Sequence, residues 1–207
     1  MRAFCVIIVV ILNQREKLPD KVINIKRKKY AVGLFWQPAM VGVAPRAYAR
    51  ALARGMNRKL NLFTEYRTLI GLGARRAGHR IGMSSAAAEV MDALTEYNSF
   101  LGVFDTENGF YLVAVRNSII LQDKLFDSQD AARAEYFRLS EIPDWGALFA
   151  PSAWGMPRAI ERNLSDLISG GARATLRPIS RFRRVLLSVV LLAVFVFFLL
   201  SFFREPI

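Results

Sequence analysis

SFLGVFDTENGFYLVAVRNSIILQ, Ser99 to Gln122, is the stretch on which the fold turns. Three short runs of aromatic, aliphatic and β-branched residues are separated by Asp105 to Gly109 and by Asn117 and Ser118, residue types that favour tight turns. The spacing predicts strands at Ser99–Phe104, Phe110–Arg116 and Ile119–Gln122, paired as a three-strand antiparallel meander.

On the C-terminal side of the meander, Asp127 and Ser128 are suited to cap a helix from about Gln129 to Leu139. Its residues Ala132, Tyr136 and Leu139 fall on one face and are placed to pack on the sheet. Pro143 to Pro157 (PDWGALFAPSAWGMP) reads as a rigid aromatic loop, and Gly170, Gly171 and Pro178 as a hinge. On the N-terminal side, Ser84 and Ser85 cap a helix running to about Tyr97 with Val90, Met91 and Leu94 as its core face. Before it lie a strand within Asn61–Leu72 and a basic, glycine-bearing loop ending at Gly82. Pro45–Lys59 reads as a helix with Tyr48, Ala51 and Leu52 on one face and Arg46, Arg50, Arg54 and Arg58 at a strict spacing of four on another. Tyr30–Gln37 (YAVGLFWQ), closed by Pro38, reads as the first strand. This alternation predicts an α/β fold, an α+β sandwich built on the meander, rather than a helix bundle.

Charge and hydropathy divide the 207 residues further. The formal net charge is +12, but residues 1–98 carry 17 Lys/Arg against 6 Asp/Glu, residues 99–172 carry 6 against 10, and residues 173–207 carry 6 against 1. The basic character sits at the two ends. Val185–Phe203 (VLLSVVLLAVFVFFLLSFF) has two serines as its only polar side chains, and at about 1.5 Å per residue it is long enough to cross the hydrocarbon of a bilayer. Arg173, Arg177, Arg181, Arg183 and Arg184 precede it and Arg204 alone follows, which orients the N-terminal domain to the cytoplasm and brings basic side chains to anionic lipid. Ala3–Leu12 is an apolar run too short to span. It reads as a signal or interfacial anchor, as a strand, or as an extraneous extension. The expected organisation is an apolar and basic extension over 1–29, a cytoplasmic α/β domain over 30–157, a basic linker over 158–184, a transmembrane helix over 185–203 and a short tail over 204–207. With so little chain after the helix, the sequence reads as a tail-anchored protein or as one lacking an extracytoplasmic portion.

Chemistry finds little to work with. His79 is the only histidine and Cys5 the only cysteine, so metal sites and histidine-dependent nucleophilic catalysis lack their ligands and bases. His79, inside Arg75, Arg76, Ala77, Gly78, His79, Arg80, reads as a solvated loop residue. Gly71, Gly73, Gly78 and Gly82 among arginines suggest phosphate cradling but match neither the P-loop nor the dinucleotide fingerprint. No catalytic, cofactor-binding or metal-binding residue is assigned. An enzyme reading needs Asp123 or Asp127 to converge on that loop. A nucleic-acid reading rests on the arginine stripe alone, with no aromatic platform or recognition helix beside it.

Three stretches are more specific than their composition: SFLGVFDTENGFYLVAVRNSIIL, LFDSQDAARAEYFRL and IPDWGALFAPSAWGMP. With the opening KYAVGLFWQP, they resemble the N-terminal region of the PilO-type pilin accessory proteins of type IVb pilus systems. The landmarks are Val113, Ala114, Val115, Arg116, Phe126, Asp127, Asp144, Trp145, Ala150, Pro151, Trp154 and Gly155. The resemblance covers roughly Lys29–Pro157 plus the membrane helix. It implies a bacterial inner-membrane component of pilus assembly with a cytoplasmic domain, normally accompanied by a substantial periplasmic part. It offers no catalytic residue to transfer, and it invites a fold-level analogy with actin-like or RNase H-like domains. The implied role is a non-enzymatic scaffold that binds the lipid bilayer and a motor ATPase or platform protein, with self-association as a further option. Arg46, Arg50, Arg54, Arg58, Trp145 and Trp154 are the expected contact residues, with a core position closing the sandwich as the favoured alternative for both tryptophans. A membrane-tethered nucleotide-binding enzyme and a membrane-anchored nucleic-acid-binding protein are the alternatives.

Overall fold

The computed structural model describes residues 21–56, 59–168 and 174–180. Ala3–Leu12, Arg58, Arg173, Arg181, Arg183, Arg184 and Val185–Phe203 lie outside them. In chain order the elements are β1 (Val22–Ile25), β2 (Lys28–Ala31), β3 (Phe35–Pro38), α1 (Pro45–Met56), β4 (Leu62–Tyr66), β5 (Leu69–Gly73), β6 (Ser84–Ser85), α2 (Ala86–Ala93), β7 (Phe100–Thr106), β8 (Gly109–Arg116), β9 (Ile119–Phe126), α3 (Gln129–Ser140), β10 (Ala147–Phe149), β11 (Ala159–Ile160), α4 (Leu164–Leu167) and β12 (Arg177–Pro178). The fold is mixed α/β, with three sheets in the orders β1-β2-β6, β12-β4-β5-β3 and β11-β10-β7-β8-β9.

The meander is present as expected and forms the centre of the largest sheet. Antiparallel pairing runs from Phe100 opposite Val115 to Thr106 opposite Gly109, and β8 pairs with β9 from Phe110 opposite Phe126, with a bulge at Ala114 and Val115. Asn117 and Ser118 both adopt positive φ, the conformation a two-residue hairpin turn requires. Gly109 sits at φ 124, where an added Cβ would collide with the Phe126 carbonyl. Side chains alternate between the two faces of the sheet. Phe100, Phe104, Tyr111, Val113 and Val115 join the largest core with α2 and with Leu164 of α4. Leu101, Val103, Leu112 and Ala114 face Ala132, Tyr136 and Leu139 of α3. Both predicted caps form: the Ser85 hydroxyl accepts from the Ala88 N–H and the Ser128 hydroxyl from the Ala131 N–H.

Several expectations are corrected. Tyr30–Gln37 is two strands in different sheets, because Gly33 at φ 67 turns the chain between β2 and β3. Asn61–Leu72 is the hairpin β4–β5, with Arg67 in the left-handed region between them. The aromatic stretch 143–157 contributes β10, which adds a strand parallel to β7. The expected boundary at residue 30 falls inside the β1–β2 hairpin, whose Ile23 and Ile25 are core residues. The expected linker after residue 157 carries α4 and β12 and sends Leu164, Ile168, Ala174 and Leu176 into the same core.

Candidate functional site

Two polar arrangements stand out, one sealed in the interior and one open to solvent. Inside, Asp123 of β9 is 5% exposed. Its carboxylate accepts from Gly33 N–H (2.8 Å), Leu34 N–H (3.1 Å) and Trp36 Nε1–H (3.0 Å). One side chain thus ties the β2–β3 turn to the far sheet and satisfies donors that the turn leaves without strand partners. Burial pushes the Asp123 carboxyl upward, and these donors oppose the shift. The Tyr111 hydroxyl approaches the same carboxylate without completing a well-formed hydrogen bond, and burial and the nearby charge push it up.

His79 has a comparable role. It is 2% exposed, its Nδ1 accepts from Ala74 N–H (3.1 Å), and its Nε2 lies 2.9 Å from the Val32 carbonyl and 3.0 Å from that of Lys21. An Nδ1 that accepts fixes the neutral ring with the proton on Nε2. Burial lowers its pKa accordingly. This overturns the solvated-loop expectation. Gly73 makes room for the ring, since a Cβ there would come within 2.8 Å of Nδ1.

The enzyme reading required carboxylates at the basic glycine loop. A cavity of about 470 Å³ does lie there, lined by Val22, Lys29, Arg75, Gly78, His79, Arg80 and Ile81, without a carboxylate among its lining residues. Asp123 is engaged elsewhere, and Asp127 is an exposed residue just before the α3 cap. No group of three His, Cys, Asp or Glu converges on a metal-sized space among the described residues.

The open arrangement is built on α1. Pro45 occupies the first helical position, where its missing N–H is harmless. Ala49 and Ala53 are the buried residues of the helix and pack with Phe63, Ile70 and Leu72 of the four-stranded sheet. The buried face therefore differs by one position from the expected Tyr48, Ala51, Leu52 set, and Ala51 is exposed. Small side chains at 49 and 53 bring the helix close to the sheet, and the arginines frame the contact. Arg46 lies over the Phe63 ring (5.7 Å to the centroid), and its Nε and Nη1 are buried without a hydrogen-bond partner among the described residues. Arg50 Nη2 donates a long hydrogen bond to the Ile179 carbonyl (3.5 Å), and Arg54 is exposed. β12 pairs with β4, placing Arg177 opposite Phe63. Arg46, Arg50 and Arg177 consequently line one cavity of about 500 Å³, with Glu65 as the one carboxylate among its lining residues. A neighbouring cavity of about 380 Å³ is lined by Arg50, Ala53, Arg54, Leu60 and Ile179.

The structure thus joins Arg177, expected at the membrane, to the stripe of α1. The tryptophans behave differently. Trp154 is core, 4% exposed, edge-on to Tyr136 (6.0 Å) and 5.9 Å from Phe110. It is removed from the expected contact surface. Trp145 is half-buried and donates Nε1–H to the Leu139 carbonyl (2.9 Å).

The family model described as pilin accessory protein (PilO) matches residues 30–202. The chain belongs to that family. The PilO-family match takes in all the elements from β3 to β12 and continues through most of the apolar stretch beyond them. Among solved structures, the crystal structure of the cytoplasmic domain of BfpC aligns with a TM-score of 0.64 at 22% identity, covering 79% of this chain and 99% of that one. At that identity the likeness concerns the fold. Comparison with curated proteins gives no match. A family of pilin accessory proteins is a family of non-enzymatic assembly components, and this member carries that role. No helix among the described residues is long and apolar enough to cross a membrane.

Proposed function

We propose that this PilO-family chain is an inner-membrane accessory and scaffold protein of type IVb pilus assembly, held by a transmembrane helix at Val185–Phe203. Its N-terminal domain lies in the cytoplasm and docks to the motor ATPase or a platform protein. The family match over residues 30–202 is the observation that carries this reading. The five arginines before Val185 against one after Phe203 support the orientation. In the order β7-β8-β9, α3, β10, an antiparallel meander is followed by a helix and a strand parallel to the first, in keeping with an actin-like or RNase H-like analogy. Trp145 remains the docking candidate among the aromatics, and the stripe of α1 offers a cationic surface to an acidic counterpart.

Affinity capture of the full membrane-embedded chain from pilus-expressing cells tests the proposal. Recovery of the motor ATPase or a platform subunit, reduced by Trp145→Ala in a protein that keeps its circular dichroism, is the expected result. Recovery of no pilus component with the native chain would overturn it.

A further inference from the structure

The cationic face of α1 has apolar neighbours. Of the nine large apolar side chains exposed among the described residues, four flank this helix: Met40 (59%), Val41 (98%) and Val43 (38%) before it, and Met56 (50%) at its end. The first three form the tip of a turn in which the Val43 N–H bonds the Met40 carbonyl and Gly42 sits at φ 78. That turn runs directly into Ala44 and Pro45, which line the Arg46, Arg50 and Arg177 cavity. A protruding apolar loop beside a basic cradle is suited to a bilayer interface, with apolar tips entering the acyl boundary and guanidiniums meeting phosphates.

The chain itself fixes where this surface lies. Arg50 contacts Ile179, and only five residues separate Ile179 from Val185, six Cα–Cα steps that can span no more than about 22 Å. If Val185–Phe203 crosses the bilayer, α1 is tethered beside the headgroups. The tether also makes docking intramolecular, so weak individual contacts suffice.

We infer that the Met40–Val43 loop together with Arg46, Arg50 and Arg177 forms a second, peripheral membrane contact that takes anionic phospholipid headgroups and holds the domain against the inner leaflet. The counterpart of the arginine stripe is then the lipid surface. Arg46, resting on the Phe63 ring, lines the cavity together with Arg50 and Arg177, and a phosphate oxygen supplies acceptors suited to guanidiniums. Glu65 at the rim lowers the net charge of the site without neutralising it. This inference rests on the membrane-spanning reading but not on the identity of a pilus partner.

The test uses the full chain with Cys5→Ser and Val41→Cys, labelled with an environment-sensitive fluorophore and reconstituted in lipid nanodiscs with or without phosphatidylglycerol. The expected result is a blue shift and quenching by nitroxide-bearing lipids in the anionic discs only. Each near-surface arginine contributes about fivefold to partitioning, so Arg46→Glu, Arg50→Glu, Arg177→Glu reduces the docked-to-undocked ratio by a hundredfold or more, on the order of the product of the three. The corresponding triple lysine variant keeps most of the signal and separates lost charge from lost fold. Met40→Ser with Val43→Ser alters only exposed side chains and reduces the shift as well. A label that stays aqueous in both discs, with the chain inserted, would overturn the inference and return the arginine face to an acidic protein partner. Failure of the chain to insert would overturn the spanning reading and this inference with it, while leaving capture of pilus components as a separate outcome.

Discussion

Asp123 and Arg46 are both charged residues with buried polar atoms, yet they are solved in opposite ways. Three donors converge on the Asp123 carboxylate from the β2–β3 turn and from Trp36, and Asp123 itself is buried. Arg46 offers two buried donors to nothing in the described protein and rests on the Phe63 ring beside two more arginines. A buried charge surrounded by its own chain's donors holds parts of the fold together. Three arginines lining one cavity with a single carboxylate keep a net positive charge that an external counterpart can meet. The difference separates a structural joint from the face proposed as a contact surface.

Substitutions can break that contrast at either end. The largest effect is expected for Asp123→Ala, which strands two backbone N–H groups and the Trp36 indole and loses about 4 kcal/mol of domain stability, read by denaturant unfolding with tryptophan fluorescence. Asp123→Asn, which keeps an acceptor, loses less. A result for Asp123→Ala near zero would mean the joint contributes nothing. Gly73→Ala pushes a methyl into the His79 ring and is expected to lose about 2 kcal/mol, with a drop in melting temperature.

Acid sharpens the comparison through the same histidine. The folded pKa of His79 lies below the ordinary imidazole value of 6.5, so as pH falls through 6.5 the unfolded chain takes up a proton first and the folded state loses its advantage. Stability contributed by His79 is complete above pH 6.5 and declines below it until the buried ring is itself protonated. Asp123, whose folded pKa is raised, acts in the opposite sense, its contribution being lost as pH rises through its folded pKa. The slope of stability between pH 6.5 and 5 should therefore flatten in His79→Gln, and an unchanged slope would contradict the buried neutral ring. The smallest effect belongs to the open face: Arg54→Glu should change unfolding free energy by no more than about 0.5 kcal/mol. A loss of several kcal/mol there would show the stripe to be structural after all.

The meander, both serine caps and the core faces of α2 and α3 were legible because turn chemistry and side-chain periodicity are local. Reading failed where one residue redirected the chain. Gly33 splits an unbroken apolar run into strands of two sheets, and the left-handed Arg67 makes a hairpin of one expected strand. Ala159–Ile160, Leu164 and Leu176 read as linker in the sequence because their partners lie far off in it. At the candidate site, the arginine spacing was visible from the start, whereas Arg177 and the apolar loop at Met40–Val43 joined it only in three dimensions. Pro38 and Pro45 bracketing AMVGVA were the available signal for that loop, since an apolar run between two prolines has no regular element in which to bury.

By itself, the sequence determined a mixed α/β domain built on a central meander, its family, the apolar stretch at Val185–Phe203 and the scarcity of histidine and cysteine, one of each. Only the tertiary structure decided which charges are joints and which are surface. Burial and hydrogen-bond satisfaction are properties of residues brought together from distant parts of the chain, as Asp123 meets Gly33 and Arg177 meets Arg46, and no local pattern encodes those meetings.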